Sequence, residues 1–233
     1  MEPTVKTPDR QHSRPSHHLS AGFTLVELLV VLAIIAALAG LLTPAIHYAR
    51  VKSKRDTTSN LIQQLTLAAE SYNGDWGDYP PTTLEGYGVY GNGVNDGIES
   101  FLAHVTSRRK GGPYFDYKED SLANLDEDTL GVGEVRAELD WVFGDDQLRE
   151  IIDSFGNPLV YVHNADYERA YKICLGDDPA RKLTVRAGRS AKTATYHEPT
   201  RFQLWSIGPN SESETGAEPP KEGEESDDIG NWK

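Results

Sequence analysis

The stretch Gly22-Phe23-Thr24-Leu25-Val26-Glu27-Leu28 opens the run FTLVELLVVLAIIAALAGLLTPAI over residues 23–46. Fourteen residues of that run are Leu, Ile, Val or Phe, and Glu27 is its only charge. As a helix at 1.5 Å per residue it is about 36 Å long, enough to cross a hydrocarbon core of roughly 30 Å with some tilt. Each large aliphatic residue contributes about −0.3 to −0.6 kcal/mol to insertion, against about +3 kcal/mol for one carboxylate at the centre of a span. Insertion therefore survives Glu27. The arithmetic leaves open why a carboxylate stands there, since an intramembrane ionisable group ordinarily has a partner and a task.

Outward from this block the chain is uneven. Residues 1–22 are polar and mildly basic, with Lys6, Arg10, Arg14 and three histidines against Glu2 and Asp9. Beyond Ile46 lie 20 basic and 33 acidic residues, which account for the net charge of −13. Such an acidic balance argues against a nucleic-acid binder, which needs Lys and Arg to neutralise phosphates. The single cysteine, Cys174, excludes an intramolecular disulfide framework and a Cys-rich zinc site. A secretory signal peptide is one reading of the N-terminus, with Ala37-Leu38-Ala39 as an A-x-A cleavage site. A plain single-span anchor is another. Neither uses the glutamate.

Gly22 followed by Phe23-Thr24-Leu25-Val26-Glu27-Leu28 resembles the processing site of type IV pilins and type II secretion pseudopilins. The resemblance implies that a prepilin peptidase cuts between Gly22 and Phe23 and N-methylates Phe23. It also gives Glu27 its place as the fifth mature residue and Pro44 its place late in the hydrophobic helix. The new ammonium on Phe23 is costly in lipid unless paired, and Glu27 of a neighbouring subunit can supply the counter-charge. Phe23, Glu27 and Pro44 are thus the expected assembly residues. Charge alone points weakly the other way: Arg50, Lys52, Lys54 and Arg55 after the span outnumber the leader's three cations by one.

Farther on, Tyr48, Val51, Thr58, Ile62, Leu65, Ala69 and Tyr72 recur at helical spacing, and Asn73-Gly74 reads as a C-cap. Residues 75–97 read as loop. Gly86-x-Gly88-x-x-Gly91 has neither strand before nor helix after it, and so is a chance match to a dinucleotide fingerprint. Asn92, Asp96 and Gly97 make an incomplete calcium loop, with Val94 at a ligand position, and a glycine-rich surface loop is the better reading. Helical spacing is expected over 98–109 and 134–152. Strands are expected at Leu159–His163, Tyr171–Leu175, Lys182–Arg186 and Arg201–Ile207, the last alternating cleanly. The tail from Asn210 to Asp228 is acidic, yet Ile229 and Trp232 call for burial.

Ala68-Ala69-Glu70-Ser71-Tyr72 leading to Gly77-Asp78-Tyr79-Pro80 is similar to the helix exit of the major, G-type pseudopilin. Asp153-Ser-Phe-Gly156-Asn157-Pro158 with Tyr161 resembles its D-x-W-G-N-P-x-x-Y signature, Phe155 replacing tryptophan. Phe202 to Gly208, and Asp227-Asp228-Ile229 with Trp232, resemble its last strand and its ending. The resemblance implies an α+β, pilin-like fold, a long helix packed on a small antiparallel sheet. Residues 1–22 are then a leader, 23–46 the transmembrane and filament-core helix, and 47–74 its amphipathic continuation. Residues 75–233 form a periplasmic domain with insertions at about 98–150 and 164–200. It further implies one calcium ion held by the Ile207 carbonyl, Asn210, Ser226, Asp227 and Asp228, with Asn210 in place of the usual aspartate.

No HExxH, G-x-S-x-G elbow or P-loop lysine occurs, and Cys174 sits in an apolar, strand-like context, so no catalytic role is expected. The resemblance implies a pseudopilus subunit in the inner membrane, its C-terminal domain periplasmic. The partners implied are further copies of itself, a prepilin peptidase, minor pseudopilins with an inner-membrane assembly platform, and a secretin with its exported proteins. A type IV pilin for adhesion, motility or DNA uptake, and an anchored ligand-binding minor pilin, are the alternatives.

Overall fold

The computed structural model describes residues 23–130, 142–213 and 226–232. The chain divides into two compact units, Met1–His47 and Tyr48–Lys233. A single α-helix, α1 (Leu25–Trp76), provides the described backbone of the first unit almost entirely and opens the second.

In the first unit the described residues, 23–47, are all exposed. Pro44 lies inside the helix and cannot donate to the carbonyl of Gly40. Just before it, the Thr43 hydroxyl donates to the Ala39 carbonyl at 2.8 Å. A helix apolar on all sides is stable only against lipid or other apolar helices.

In the second unit burial along α1 begins at Thr58 and continues through Ile62, Leu65, Ala68, Ala69 and Tyr72. The expected stripe therefore faces the core only in its lower half, since Tyr48 is exposed. The helix also runs past Asn73-Gly74. Tyr72 stacks on Trp76 at 5.4 Å, and Lys110 lies 3.9 Å above the Trp76 ring, which together hold one further turn. Gly77, at φ +83°, ends it.

Among the described residues the further helix and strands are α2 (Asp96–Thr106), β1 (Leu122–Ala123), β2 (Glu150–Ile151), β3 (Val160–His163), β4 (Ala170–Cys174), β5 (Lys182–Arg186), β6 (Phe202–Ser206) and β7 (Ile229–Gly230). They form three antiparallel sheets of order β1-β2, β3-β6-β7 and β4-β5. The architecture is α+β, with a long helix on a small antiparallel sheet. Leu159, Tyr161, Phe202 and Leu204 on one face of β3-β6 pack with Ile62, Leu65 and Ala69 of α1 and with Ile98, Phe101, Leu102 and Val105 of α2.

The opposite face of the same sheet is also covered. Val160, Val162, Trp205 and Ile207 pack with Ile173 and Val185 of the β4-β5 hairpin, and with Tyr167, Leu175 and Ala187 around it. All five residues of β6 are consequently buried, although its alternation reads as half-exposed. The polar one, Gln203, is satisfied by the chain beyond β5: Gly188 N–H donates to its Oε1 at 2.6 Å, and its Nε2 donates to the carbonyls of Gly188 and His197. Residues 98–150 and 164–200 thus supply core elements, α2 and the β4-β5 hairpin.

The helical spacing expected over 134–152 is not realised in its described part. Residues 142–152 are turn and extended chain, with Gly144 at φ +76° and β2 paired to β1. Leu148, Glu150 and Ile151 are all buried, so apolar residues on both sides of an extended segment imitate helical spacing. Residues 131–141, with Val135 and Leu139, lie outside the described residues.

Candidate functional site

Two regions carry the expected functional residues. In the first, Gly22 lies outside the described residues, and Phe23 is 79% exposed immediately before the helix. Thr24 is the N-cap of α1 and Glu27 its third residue. Thr24 donates its backbone N–H to Glu27 Oε2 at 2.9 Å and its hydroxyl to the same oxygen at 2.7 Å, while Glu27 N–H donates to Thr24 Oγ1 at 3.2 Å. This reciprocal arrangement is a capping box, which satisfies amides that the helix end leaves without partners. Its signal, T-x-x-E ahead of an apolar run, stands in residues 24–27, but taking Glu27 solely as an intermolecular partner passes over it.

The second region joins the signature turn to the C-terminal ending. Asp153, 5% exposed, accepts the N–H groups of Phe155 and Asn157 on Oδ1, at 2.8 and 3.0 Å, and the Ser206 hydroxyl on Oδ2, at 2.5 Å. Burial nonetheless raises its pKa above the ordinary carboxylate range, the hydrogen bonds opposing that shift. Asn157 then takes Gly176 N–H on its oxygen and donates to the Ser211 hydroxyl. Gly156, at φ +93°, gives the turn a left-handed residue that only glycine adopts freely. The signature thus positions the end of β6 and the segment beyond it.

There Gly208, at φ +70°, lies so close to Asp227 that an added Cβ would sit 2.6 Å from its carbonyl oxygen. The Ile207–Asn210 segment and the Ser226–Asp228 segment are thereby brought side by side. Asp228 is 2% exposed, and its N–H donates to the Ser226 hydroxyl at 3.2 Å. Asn210 Oδ1 accepts Glu212 N–H at 2.8 Å, and Asp227 lies 3.7 Å from Arg55. Two carboxylates, a hydroxyl, an amide oxygen and a carbonyl make an oxygen-only donor set that suits calcium. The nearby guanidinium supplies part of the counter-charge at Asp227. Residues 214–225, with Glu222, Glu224 and Glu225, lie outside the described residues.

The ending is stitched into the sheet. Asn231 side-chain Oδ1 accepts Leu204 N–H at 3.0 Å and its Nδ2 donates to the Phe202 carbonyl, extending the ladder beyond β7. Trp232 stacks on His197 at 5.2 Å and meets Trp205 edge-on. The described ending, residues 226–232, is therefore anchored to the sheet. At the other end of the sheet, Arg201 bridges Glu70 of α1 and Glu198, and Tyr79 donates to Glu70. This network ties the exit of α1 to the start of β6.

Of the residues set aside in the sequence, Cys174 is fully buried, with its thiol pKa pushed up by burial. Gly86 to Gly91 holds only a single 3-10 turn, at Glu85–Tyr87. Asp96, by contrast, is not part of a plain surface loop: it is the first residue of α2, and burial, then the nearby charge of Asp126, raise its pKa.

Comparison with known proteins adds one match. Residues 18–43 match the family described as Prokaryotic N-terminal methylation motif. No curated protein and no solved structure matches the chain. The matched segment covers Gly22, Phe23 and Glu27 and most of the apolar half of α1, which is long and apolar enough to cross a membrane. Such a motif implies processing by a prepilin peptidase and pilus-type assembly, and it fits a single-pass, membrane-anchored protein. The chain therefore carries a prepilin-type methylation signal at the head of its apolar helix.

Proposed function

We propose that this chain is the major structural subunit of a type II secretion pseudopilus. The observation that carries the reading is the methylation signal set on an apolar helix whose capping glutamate keeps one oxygen for a second partner. Both Thr24 donors go to Glu27 Oε2. After cleavage Phe23 is the first residue, so the Thr24 amide and the capping box persist. Glu27 Oε1 is then available to the ammonium of Phe23 on a neighbouring subunit. Pairing the two removes an uncompensated charge from lipid and sets the axial register of one helix against the next. Loss of the Pro44 donor permits local loosening where neighbouring helices re-satisfy the Gly40 carbonyl.

The finer assignment to type II secretion is supported by the Asp153–Pro158 turn, by its tie through Ser206 to the last strand, and by the Asn231-Trp232 ending. Cys174, the only cysteine, is buried within β4, so the C-terminal disulfide loop usual in type IV pilins has no counterpart here. We read the chain as structural rather than catalytic, its globular domain in the periplasm. Calcium at Ile207, Asn210, Ser226, Asp227 and Asp228 would neutralise the acidic ending and hold it against β6.

The test is complementation in the source organism. A strain lacking this chain is expected to lose export of its type II substrates and regain it with the wild-type chain but not with Glu27→Val. Intact export with lost surface pili would replace this reading with that of a type IV pilin.

A further inference from the structure

Five carboxylates of the globular unit converge from three separate segments. Asp96 and Glu99 lie in the first turn of α2, Asp126 and Asp128 in the loop after β1, and Glu150 on β2. One carboxylate oxygen each of Glu99, Asp126 and Glu150 lies within 4.8 Å of the others. Glu99 is 3% exposed and Glu150 fully buried. Glu99 Oε1 and both Asp126 oxygens are buried and accept no hydrogen bond. Glu99 thus directs an unsatisfied charged atom from the protein interior into the group, an arrangement that is costly unless a proton or a cation compensates it.

The surrounding chain is built to hold these groups together. Asn95, left-handed at φ 58°, donates its amide to Glu150 Oε1 at 2.7 Å and accepts Cys174 N–H on its oxygen. Leu125 N–H reaches Glu150 Oε2 at 3.1 Å. Asn124 and Asp128 clasp the loop by two bonds, Asp128 N–H to Asn124 Oδ1 and Asn124 Nδ2 to the Asp128 carbonyl. Gly91 allows the backbone to lie against Asp96 and Asp128, since an added Cβ would be 2.6 Å from one carboxylate and 3.6 Å from the other. The rigid frame and the unsatisfied oxygens are independent observations.

We propose that Glu99, Asp126 and Glu150, with Asp96 and Asp128 beside them, bind a calcium ion. The donors are oxygens only, which selects a hard cation, and no histidine stands among them. The one sulfur nearby, Cys174 Sγ, already accepts the Asn95 amide at 3.0 Å. Opposite oxygens of a calcium shell at 2.3–2.6 Å are about 4.6–5.2 Å apart, so the three acidic oxygens fit within one shell. Calcium here cross-braces α2, β2 and the loop after β1. The donors are entirely separate from those of the C-terminal ending.

Burial, then mutual repulsion, keeps the Glu99 pKa well above the ordinary carboxylate range, and the same two causes push Asp128 up to about 7 and Glu150 to about 8.

The experiment is calcium titration by calorimetry on the full-length chain in detergent, comparing wild type with Glu99→Gln/Asp126→Asn and with Asp227→Asn/Asp228→Asn. The first variant is expected to lose one equivalent of calcium that the second retains. In chelator it should melt no lower than wild type, because repelling carboxylates have been removed. Asp126→Asn alone, at a partly exposed loop position, should weaken that equivalent at least tenfold. Wild type binding no calcium at millimolar concentration, an unchanged stoichiometry in Glu99→Gln/Asp126→Asn, or binding of zinc in place of calcium would each overturn the proposal. Loss confined to Asp227→Asn/Asp228→Asn would overturn it too, by assigning calcium to the C-terminal ending alone.

Discussion

Glu27 accepts both the backbone N–H and the hydroxyl of Thr24 on a single oxygen, at 2.9 and 2.7 Å. The carboxylate at the head of the apolar helix thus has a partner within its own chain. This separates two roles that the residue type alone merges, capping its own helix and meeting the ammonium of a neighbour.

The two roles give different phenotypes. Thr24→Val should remove the cap, fraying the first turn at a cost of about 1 kcal/mol, while filaments still assemble because Glu27 keeps its charge. Glu27→Val should insert in the membrane normally yet yield few filaments. Membrane fractionation and electron microscopy of sheared filaments check both. Normal filaments from Glu27→Val would remove the charge-pairing account.

Processing is checked by mass spectrometry of the mature N-terminus. It should begin at N-methyl-Phe23, and Gly22→Val should leave the leader attached. A mature start at Gly40 would establish cleavage after Ala37-Leu38-Ala39 by a signal peptidase.

Asp153 accepts two amides and the Ser206 hydroxyl, so Asp153→Ala should leave three donors unsatisfied, two of them buried. The expected loss is about 3 kcal/mol, which lowers the melting temperature by roughly 6–12 °C for a unit of this size. Ser206→Ala removes one bond and should cost about 1–2 kcal/mol. Circular-dichroism melts of both variants measure the order.

Gly97 admits no side chain, because an added Cβ would stand 2.1 Å from the Tyr161 carbonyl oxygen. Gly97→Ala should force the first turn of α2 away from β3 and destabilise the protein by about 2–3 kcal/mol. A melt indistinguishable from wild type would mean that α2 does not press on β3 this closely.

The pH dependence has two opposed parts. Burial lowers the His104 pKa to about 4, so the unfolded chain binds the extra proton and stability rises with pH from about 4 to 6.5. Glu99, Asp128 and Glu150 are shifted up, so the folded chain binds the extra protons and stability falls as pH rises toward 7–8. Asp96 and Asp126 act on these groups in the same direction, and Lys182 opposes them at Asp128. Between pH 6.5 and 8 these carboxylates contribute about 1.4 kcal/mol per proton per pH unit. Urea titrations in chelator should therefore show declining stability over that window, and millimolar calcium should abolish the decline.

Features whose physics is local were legible in the residues alone. The apolar run with one carboxylate reads as a span, Gly22-Phe23 with Glu27 reads as a processing signal, and the alternation at 159–163 and 201–207 reads as strands. Which surfaces meet was settled by long-range packing instead. Alternation in β6 cannot say that a second hairpin covers its other face, so Gln203 is fully buried where a polar position reads as solvated. Apolar spacing at Leu148 and Ile152 cannot distinguish a helix from an extended segment buried on both sides. Asp96, Glu99, Asp126 and Glu150 are spread over more than fifty positions, and no spacing rule links residues brought together by α2, β2 and a loop. Their proximity comes from the packing of those elements, and it is packing that converts ordinary surface-type residues into a buried group needing a counter-charge.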